Sequence, residues 1–182
     1  MKTVQSVISE MREQFKSIGL DTPELDARLL AQGVLGLKHE ELLLNPNRLM
    51  TDTECKNLSE AARRRILREP VSRILGTRAF WNSEFKVSRE TLDPRADSET
   101  LVEAVLDEVS KDAPLRLLDL GTGTGCLLLS LLQELPQATG LGVDISAGAV
   151  LTAQQNAEAL HLSARASFMT ADWSKMVIPG AF

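Results

Sequence analysis

Residues 117–125 read Leu-Leu-Asp-Leu-Gly-Thr-Gly-Thr-Gly, and no other stretch restricts the fold of this chain as strongly. Apolar residues run directly into three glycines at alternate positions, and a helical pattern begins at Cys126. Glycine tolerates the left-handed backbone of a tight turn and lets the main chain approach a ligand closely. The start of the helix adds unpaired N–H groups and the positive end of its dipole. Strand, glycine turn and helix in immediate succession therefore predict a βα unit that binds a ligand at the carboxyl end of its strand. The first helix is expected to reach about Leu135. A strand from Ala138 to Asp144, a helix from about Ala147 to Leu160 and a strand near Ala166 to Thr170 follow it. That alternation implies a parallel sheet with right-handed crossovers. Asp144 ends the second strand, 19 positions beyond Gly125, where a carboxylate can accept both hydroxyls of a ribose.

The spacing of the glycines narrows the ligand. A dinucleotide fingerprint, G-x-G-x-x-G, would need glycine at position 126, where this chain has Cys126. Asp119 instead makes the segment D-x-G-x-G-x-G, a form similar to that of S-adenosylmethionine methyltransferases, in which no pyrophosphate has to be housed. Asp119 is expected to help hold the loop and the ammonium group of such a cofactor. A nicotinamide oxidoreductase is the less favoured reading.

The first part of the chain follows a different pattern. Val4, Val7, Ile8, Met11, Phe15 and Ile18 mark one face of a helix ended by Gly19. Thr22-Pro23 reads as an N-cap with proline at the first helical position, and Thr51 with Glu54 has capping-box spacing. Glu69-Pro70 is expected to close the helix that Thr51 opens. Residues 1–74 thus predict an all-helical bundle. Residues 75–97 predict a β-hairpin and loop linker, turning at Asn82-Ser83, and residues 98–182 a partial cofactor-binding domain. With 182 residues and 43% apolar content, one domain and part of another can be built. The net charge of −5 argues against broad contact with DNA or another nucleic-acid backbone. Apolar runs such as Leu127–Leu129 fall far short of the ~18 residues a membrane span needs, and no apolar export segment follows Met1-Lys2. Cys55 and Cys126 have no paired spacing, so neither a disulfide framework nor a metal site is expected, and a cytoplasmic setting is.

Several motifs together resemble one family, the peptide chain release factor glutamine methyltransferases of the HemK type. They are Gly76-Thr77-Arg78-Ala79-Phe80-Trp81, the loop Leu92–Glu99, Asp119 to Gly125, Asp144, Gln154-Gln155-Asn156-Ala157 and Asp172-Trp173. The resemblance extends over essentially the whole chain. Pro94, Arg95, Asp97, Ser98 and Glu99 match the family's P-R-P-[DE]-T-E loop, with Ala96 in place of its second proline and Ser98 in place of its threonine. Ser98 keeps a hydroxyl at the expected helix N-cap, whereas Ala96 loses a fixed φ. The fold implied is α/β: an N-terminal all-helical bundle, a β-hairpin linker and the first half of a Rossmann-like S-adenosylmethionine-dependent methyltransferase sheet.

The activity implied is transfer of a methyl group from S-adenosyl-L-methionine to the side-chain amide nitrogen of the glutamine in the Gly-Gly-Gln loop of release factors. In family terms Gly121, Thr122, Gly123, Thr124 and Gly125 line the cofactor, Asp144 binds its ribose and Trp173 packs beside its adenine. The loop Pro94, Arg95, Asp97, Ser98 and Glu99 lies near the active site, and the helical bundle recognises the release factor. The family grips the substrate amide with an N-P-P-Y loop after its fourth strand. This sequence has no such motif; its Asn-Pro pair is Asn45-Pro46, in the helical half. The chain reaches Ile178–Phe182 where the family would begin that strand, so catalytic residues are left unassigned. The alternative is a non-catalytic protein that binds release factor or S-adenosylmethionine without turnover.

Arg63-Arg64-Arg65, with Arg68 and Arg73, forms the basic concentration of the chain. It reads first as a solvated helix face and second as a contact for release factor or ribosomal RNA. His39 and His161 are expected at the surface or at caps, and Cys126 as a space-filling residue. In the family's sheet the first strand pairs with the fourth. An unpaired first strand predicts self-association through its edge. Light scattering that returns a monodisperse monomer would count against that expectation.

Overall fold

A computed structural model describes residues 2–175; the expected end of the chain at Ile178–Phe182 lies outside the described residues. The chain divides into two units, residues 1–75 and 76–182. Among the described residues no helix is long and apolar enough to cross a membrane.

The first unit is all-helical, with α1 (Val4–Ser17), α2 (Pro23–Leu35), α3 (His39–Leu44), α4 (Asp52–Ile66) and α5 (Val71–Leu75). Thr3 and Thr51 cap α1 and α4 with hydroxyls that accept from the amides of Ser6 and Glu54, so orphan donors at both helix starts are satisfied. Val4, Phe15, Leu30 and Leu58 form the buried centre. Thr22 does not cap α2 as expected. Its hydroxyl donates instead to Asp26 (3.0 Å), which also accepts from the Arg65 Nε at 2.8 Å and so joins α2 to α4.

The arginine run is engaged within this unit. Arg63 pairs with Glu60, Arg64 with Glu69 and two main-chain carbonyls, Arg65 with Asp26 and the Glu69 carbonyl, and Arg68 with the Ile18 carbonyl. Much of this charge closes the α4–α5 corner rather than awaiting a partner. Pro70 does not end the helical region either. It precedes α5, because Arg68 at φ 66° reverses the chain first.

The second unit opens with an antiparallel hairpin, β1 (Thr77–Phe80) and β2 (Ser83–Lys86), with Phe80 opposite Ser83. The turn is therefore Trp81-Asn82, not Asn82-Ser83. Trp81 adopts φ 53°, a costly conformation for a bulky residue. Tertiary bonds hold it: its amide donates to Glu99 and its indole N–H to Glu134, both at 2.9 Å. Nor is the hairpin a linker. Phe80 and Phe85, stacked edge to face at 6.1 Å, are buried in the same core as Leu128, Leu132 and Ala157.

Next come α6 (Glu99–Glu108), β3 (Arg116–Leu120), α7 (Cys126–Glu134), β4 (Thr139–Asp144), α8 (Ala147–Ala159) and β5 (Ala166–Thr170). The strands form a parallel sheet in the order β3-β4-β5, with Leu118 beside Leu141 beside Ser167. Glycines at alternate positions of β4 let the helices and side chains come close. A Cβ at Gly140 would lie 2.4 Å from Leu128, and one at Gly142 2.5 Å from Phe168. β3 and β5 are the outer strands among the described residues.

The Asp26–Arg65 pair is the most enclosed ion pair of the helical unit, with side chains 8% and 16% exposed. Asp26→Ala leaves the Arg65 guanidinium uncompensated and is expected to destabilise this unit by about 3 kcal/mol. Urea unfolding monitored by circular dichroism measures the loss; a change under ~0.5 kcal/mol would show the pair to be dispensable.

Candidate functional site

The glycine segment links the end of β3 to the start of α7. Gly121, Gly123 and Gly125 have φ of 78°, 55° and 78°, all in the left-handed region that disfavours side chains. The loop is seated on β4, since the amides of Gly121 and Thr122 both donate to the Val143 carbonyl, at 2.8 and 3.0 Å. A further bond, from the Gly125 amide to the Thr122 carbonyl, closes the turn. These N–H groups are therefore used to shape the loop rather than left to meet a ligand, as the sequence had suggested. Thr122 and Thr124 turn their side chains inward and are buried.

Asp144 stands at the end of β4 in a defined orientation. Its Oδ2 accepts from the Gly123 amide and its Oδ1 from the Ser146 amide, both at 2.9 Å. Each carboxylate oxygen keeps a lone pair, so the group can receive two hydroxyls without losing its anchors. Asp119 lies beneath the loop and accepts from the Thr122 hydroxyl at 2.7 Å. Burial pushes its pKa up; the Thr122 bond opposes that shift and the nearby Asp144 charge adds to it. Burial likewise raises the Cys126 thiol, which fits a space-filling residue and not a nucleophile.

A cavity of about 200 Å³ opens between the loop and the segment before α6. Pro94, Arg95 and Ser98 form one wall, and Asp119, Gly121 and Thr122 contribute to the other. The remaining predicted loop residues are placed elsewhere. Asp97 is exposed and does not line the cavity, and Glu99 turns to the Trp81 amide. Ser98 does not cap α6, because a single 3₁₀ turn over Ala96–Ser98 precedes the helix and puts Ser98 itself in helical geometry (φ −74°, ψ −13°). Trp173 sits in a short 3₁₀ turn after β5 with 53% of its surface exposed, which excludes a core role. His39 and His161 are exposed, and His161, at φ 58°, follows the C-cap of α8. Both cysteines are free thiols, and among the described residues no group of His, Cys, Asp and Glu is arranged to hold a metal ion.

Two residues of this site escaped the sequence reading. Gly142 leaves room for the Thr122 hydroxyl, which a Cβ there would meet at 2.7 Å; its signal was a glycine inside a buried strand. Asn156 is a 2%-exposed polar residue among the alanines of α8, and its side-chain amide reaches the Thr124 carbonyl at 2.9 Å.

A parallel sheet with a glycine loop at one strand end and a doubly anchored aspartate at the next defines a Rossmann-like methyltransferase domain, and residues 111–179 match a methyltransferase domain family. Residues 6–76 match the PrmC N-terminal domain. Together these place the chain among the relatives of the release factor glutamine methyltransferases. Such an enzyme from Rhodospirillum rubrum is 50% identical over 164 residues, covering 90% of this chain and 50% of the relative. One from Bradyrhizobium diazoefficiens is 40% identical over 175 residues, covering 94% and 59%. The chain thus spans about half to three fifths of the length of these relatives. A solved S-adenosylmethionine-dependent methyltransferase from Geobacter sulfurreducens, in complex with S-adenosyl-L-homocysteine, is 27% identical; it covers 51% of this chain and 33% of its own, with a TM-score of 0.40.

A carboxyl whose pKa is raised by folding is favoured by the fold in its neutral form. Its stabilising contribution is complete below the unfolded value and is lost as pH rises through the folded one. Asp119→Asn, which keeps an acceptor for Thr122, is therefore expected to raise the unfolding temperature of the cofactor-free protein at pH 8. The gain should vanish as pH falls below the ordinary aspartate range of about 3.9. Thermal scans across pH test this, and a pH-independent difference would contradict the assigned cause.

Proposed function

We propose that this chain carries the cofactor site of an S-adenosyl-L-methionine-dependent methyltransferase that modifies the glutamine amide of the Gly-Gly-Gln loop in release factors. The observation that carries the reading is the Asp144 carboxylate, held by two backbone amides beside the glycine loop with both oxygens still able to accept. The PrmC-type helical unit supports a release factor as the partner, and with it a cytoplasmic setting.

The residues present suit this cofactor. Asp144 would receive the two ribose hydroxyls, and the turn from Gly121 to Gly125, stripped of side chains at alternate positions, would let the main chain lie against it. Asp119 sets the loop through Thr122 and places negative charge beneath it, where a cationic head group is favoured. Trp173, exposed after β5, is available to the adenine. The bound cofactor supplies a methyl group on a sulfonium, a leaving group that needs no further activation. What the protein must add is position and exclusion of water. Pro94, Arg95 and Ser98 form the wall that would enclose the transferring group, while Asp97 and Glu99 act at its outer margin. Assignment of the groups that hold the glutamine amide belongs with the longer relatives.

Calorimetric titration with S-adenosyl-L-homocysteine is expected to show one site, with no uptake of NAD. Asp144→Ala should weaken binding by on the order of 10- to 100-fold, as expected for loss of a charged acceptor. NAD binding in place of the homocysteine derivative would overturn the reading. Incubation with a release factor and S-adenosylmethionine, followed by mass spectrometry of the Gly-Gly-Gln peptide, separates transfer by this chain from binding alone.

A further inference from the structure

Asn156 does more than fill the α8 interface. Its Nδ2 donates to the Thr124 carbonyl at 2.9 Å and to the Lys86 carbonyl at 3.1 Å, and its Oδ1 accepts from the Lys86 amide at 2.8 Å. One buried amide therefore ties together three segments distant in sequence: the glycine loop, the end of β2 and α8. Both hydrogens and one oxygen lone pair are used, which only a carboxamide of this length can do at this position.

The segment after Lys86 is fastened to the same helix. Thr152, one turn before Asn156, donates its hydroxyl to Ser88 at 2.9 Å. Glu90 lies so close to Gly148 that a Cβ there would meet its Cγ at 2.5 Å, and Ser146 donates to its carboxylate at 3.3 Å. From Glu90 the chain runs directly into Leu92–Ser98, a wall of the cavity. The loop that forms the opposite wall carries Thr124. Gly148, Thr152 and Asn156 thus lie along α8 at successive turns and hold the two walls to one rigid element.

We propose that Asn156 is a positioning residue that sets the spacing between the glycine loop and the Leu92–Ser98 wall, and through it the affinity for the cofactor. The inference rests on the cofactor reading above. It predicts that cofactor binding is transmitted to Lys86, whose amide points at Asn156 and does not line the cavity.

The test compares the wild-type chain with Asn156→Asp, Asn156→Ala and Leu162→Ala. Asn156→Asp keeps size but sets an acceptor against two carbonyls. Leu162 is a buried residue of the same core outside the cavity lining, so Leu162→Ala reports general loss of stability. With every protein held below its unfolding temperature, Asn156→Asp should weaken S-adenosyl-L-homocysteine binding by roughly tenfold or more, and Asn156→Ala by about fivefold. Leu162→Ala should lower the unfolding temperature yet leave affinity within about twofold. Equal losses in Leu162→Ala and the Asn156 variants would reduce Asn156 to a structural residue and overturn the proposal. Hydrogen exchange on the wild type guards against variants that do not fold. S-adenosyl-L-homocysteine should slow exchange at the Lys86 amide, and unchanged exchange there overturns the proposal. A wild-type chain that takes up no S-adenosyl-L-homocysteine sinks the cofactor reading and this inference together. Normal uptake with unaltered Asn156 variants sinks this inference alone.

Discussion

The second unit depends on a bifurcated contact, two loop amides on one strand carbonyl. Gly121 and Thr122 both donate to Val143, so the turn leaving β3 is moored to the last residues of β4 before any ligand arrives. Parallel pairing of the two strands puts Asp144 one residue beyond that carbonyl, and Gly123 completes the join by donating to its carboxylate. Loop shape and carboxylate orientation are consequently one arrangement. A site already organised in this way loses less entropy when a ligand binds.

This arrangement has an electrostatic cost. Asp119 and Asp144 bring two carboxylates near one loop, and burial raises the first further. Among the described residues no ion pair to a lysine or arginine is shown at either one. Instead, hydroxyl and amide donors surround them, leaving a local excess of negative potential suited to a cationic ligand. The helical unit handles charge in the opposite way. Its arginines are matched by Asp26, Glu60, Glu69 and main-chain carbonyls, so its dense basic run serves its own corner.

Much of this was legible from local patterns. Helix faces, the capping box at Thr51 and the βαβαβ order follow from periodicity and turn residues, and the structure reproduces them closely. The misreadings share a cause. Trp81 was unsuited to a turn by propensity, yet Glu99 and Glu134 hold it there. Ser98 had the right chemistry for a cap but lies one turn inside helical geometry. Thr22 preferred a side-chain carboxylate to its own helix amides. In each case a partner distant in sequence or a preceding turn outweighed the local rule.

The sequence alone determined the presence of a glycine loop, its acidic neighbours and the class of cofactor they suit, because those depend on residue types within one βα unit and the strand after it. Tertiary structure alone decided which loop amides remain open, that the hairpin is core and not linker, and that Asn156 joins the cavity walls. Those outcomes depend on bonds between groups 18 to 70 positions apart. Such bonds form only once the sheet has set the register of the elements that carry them.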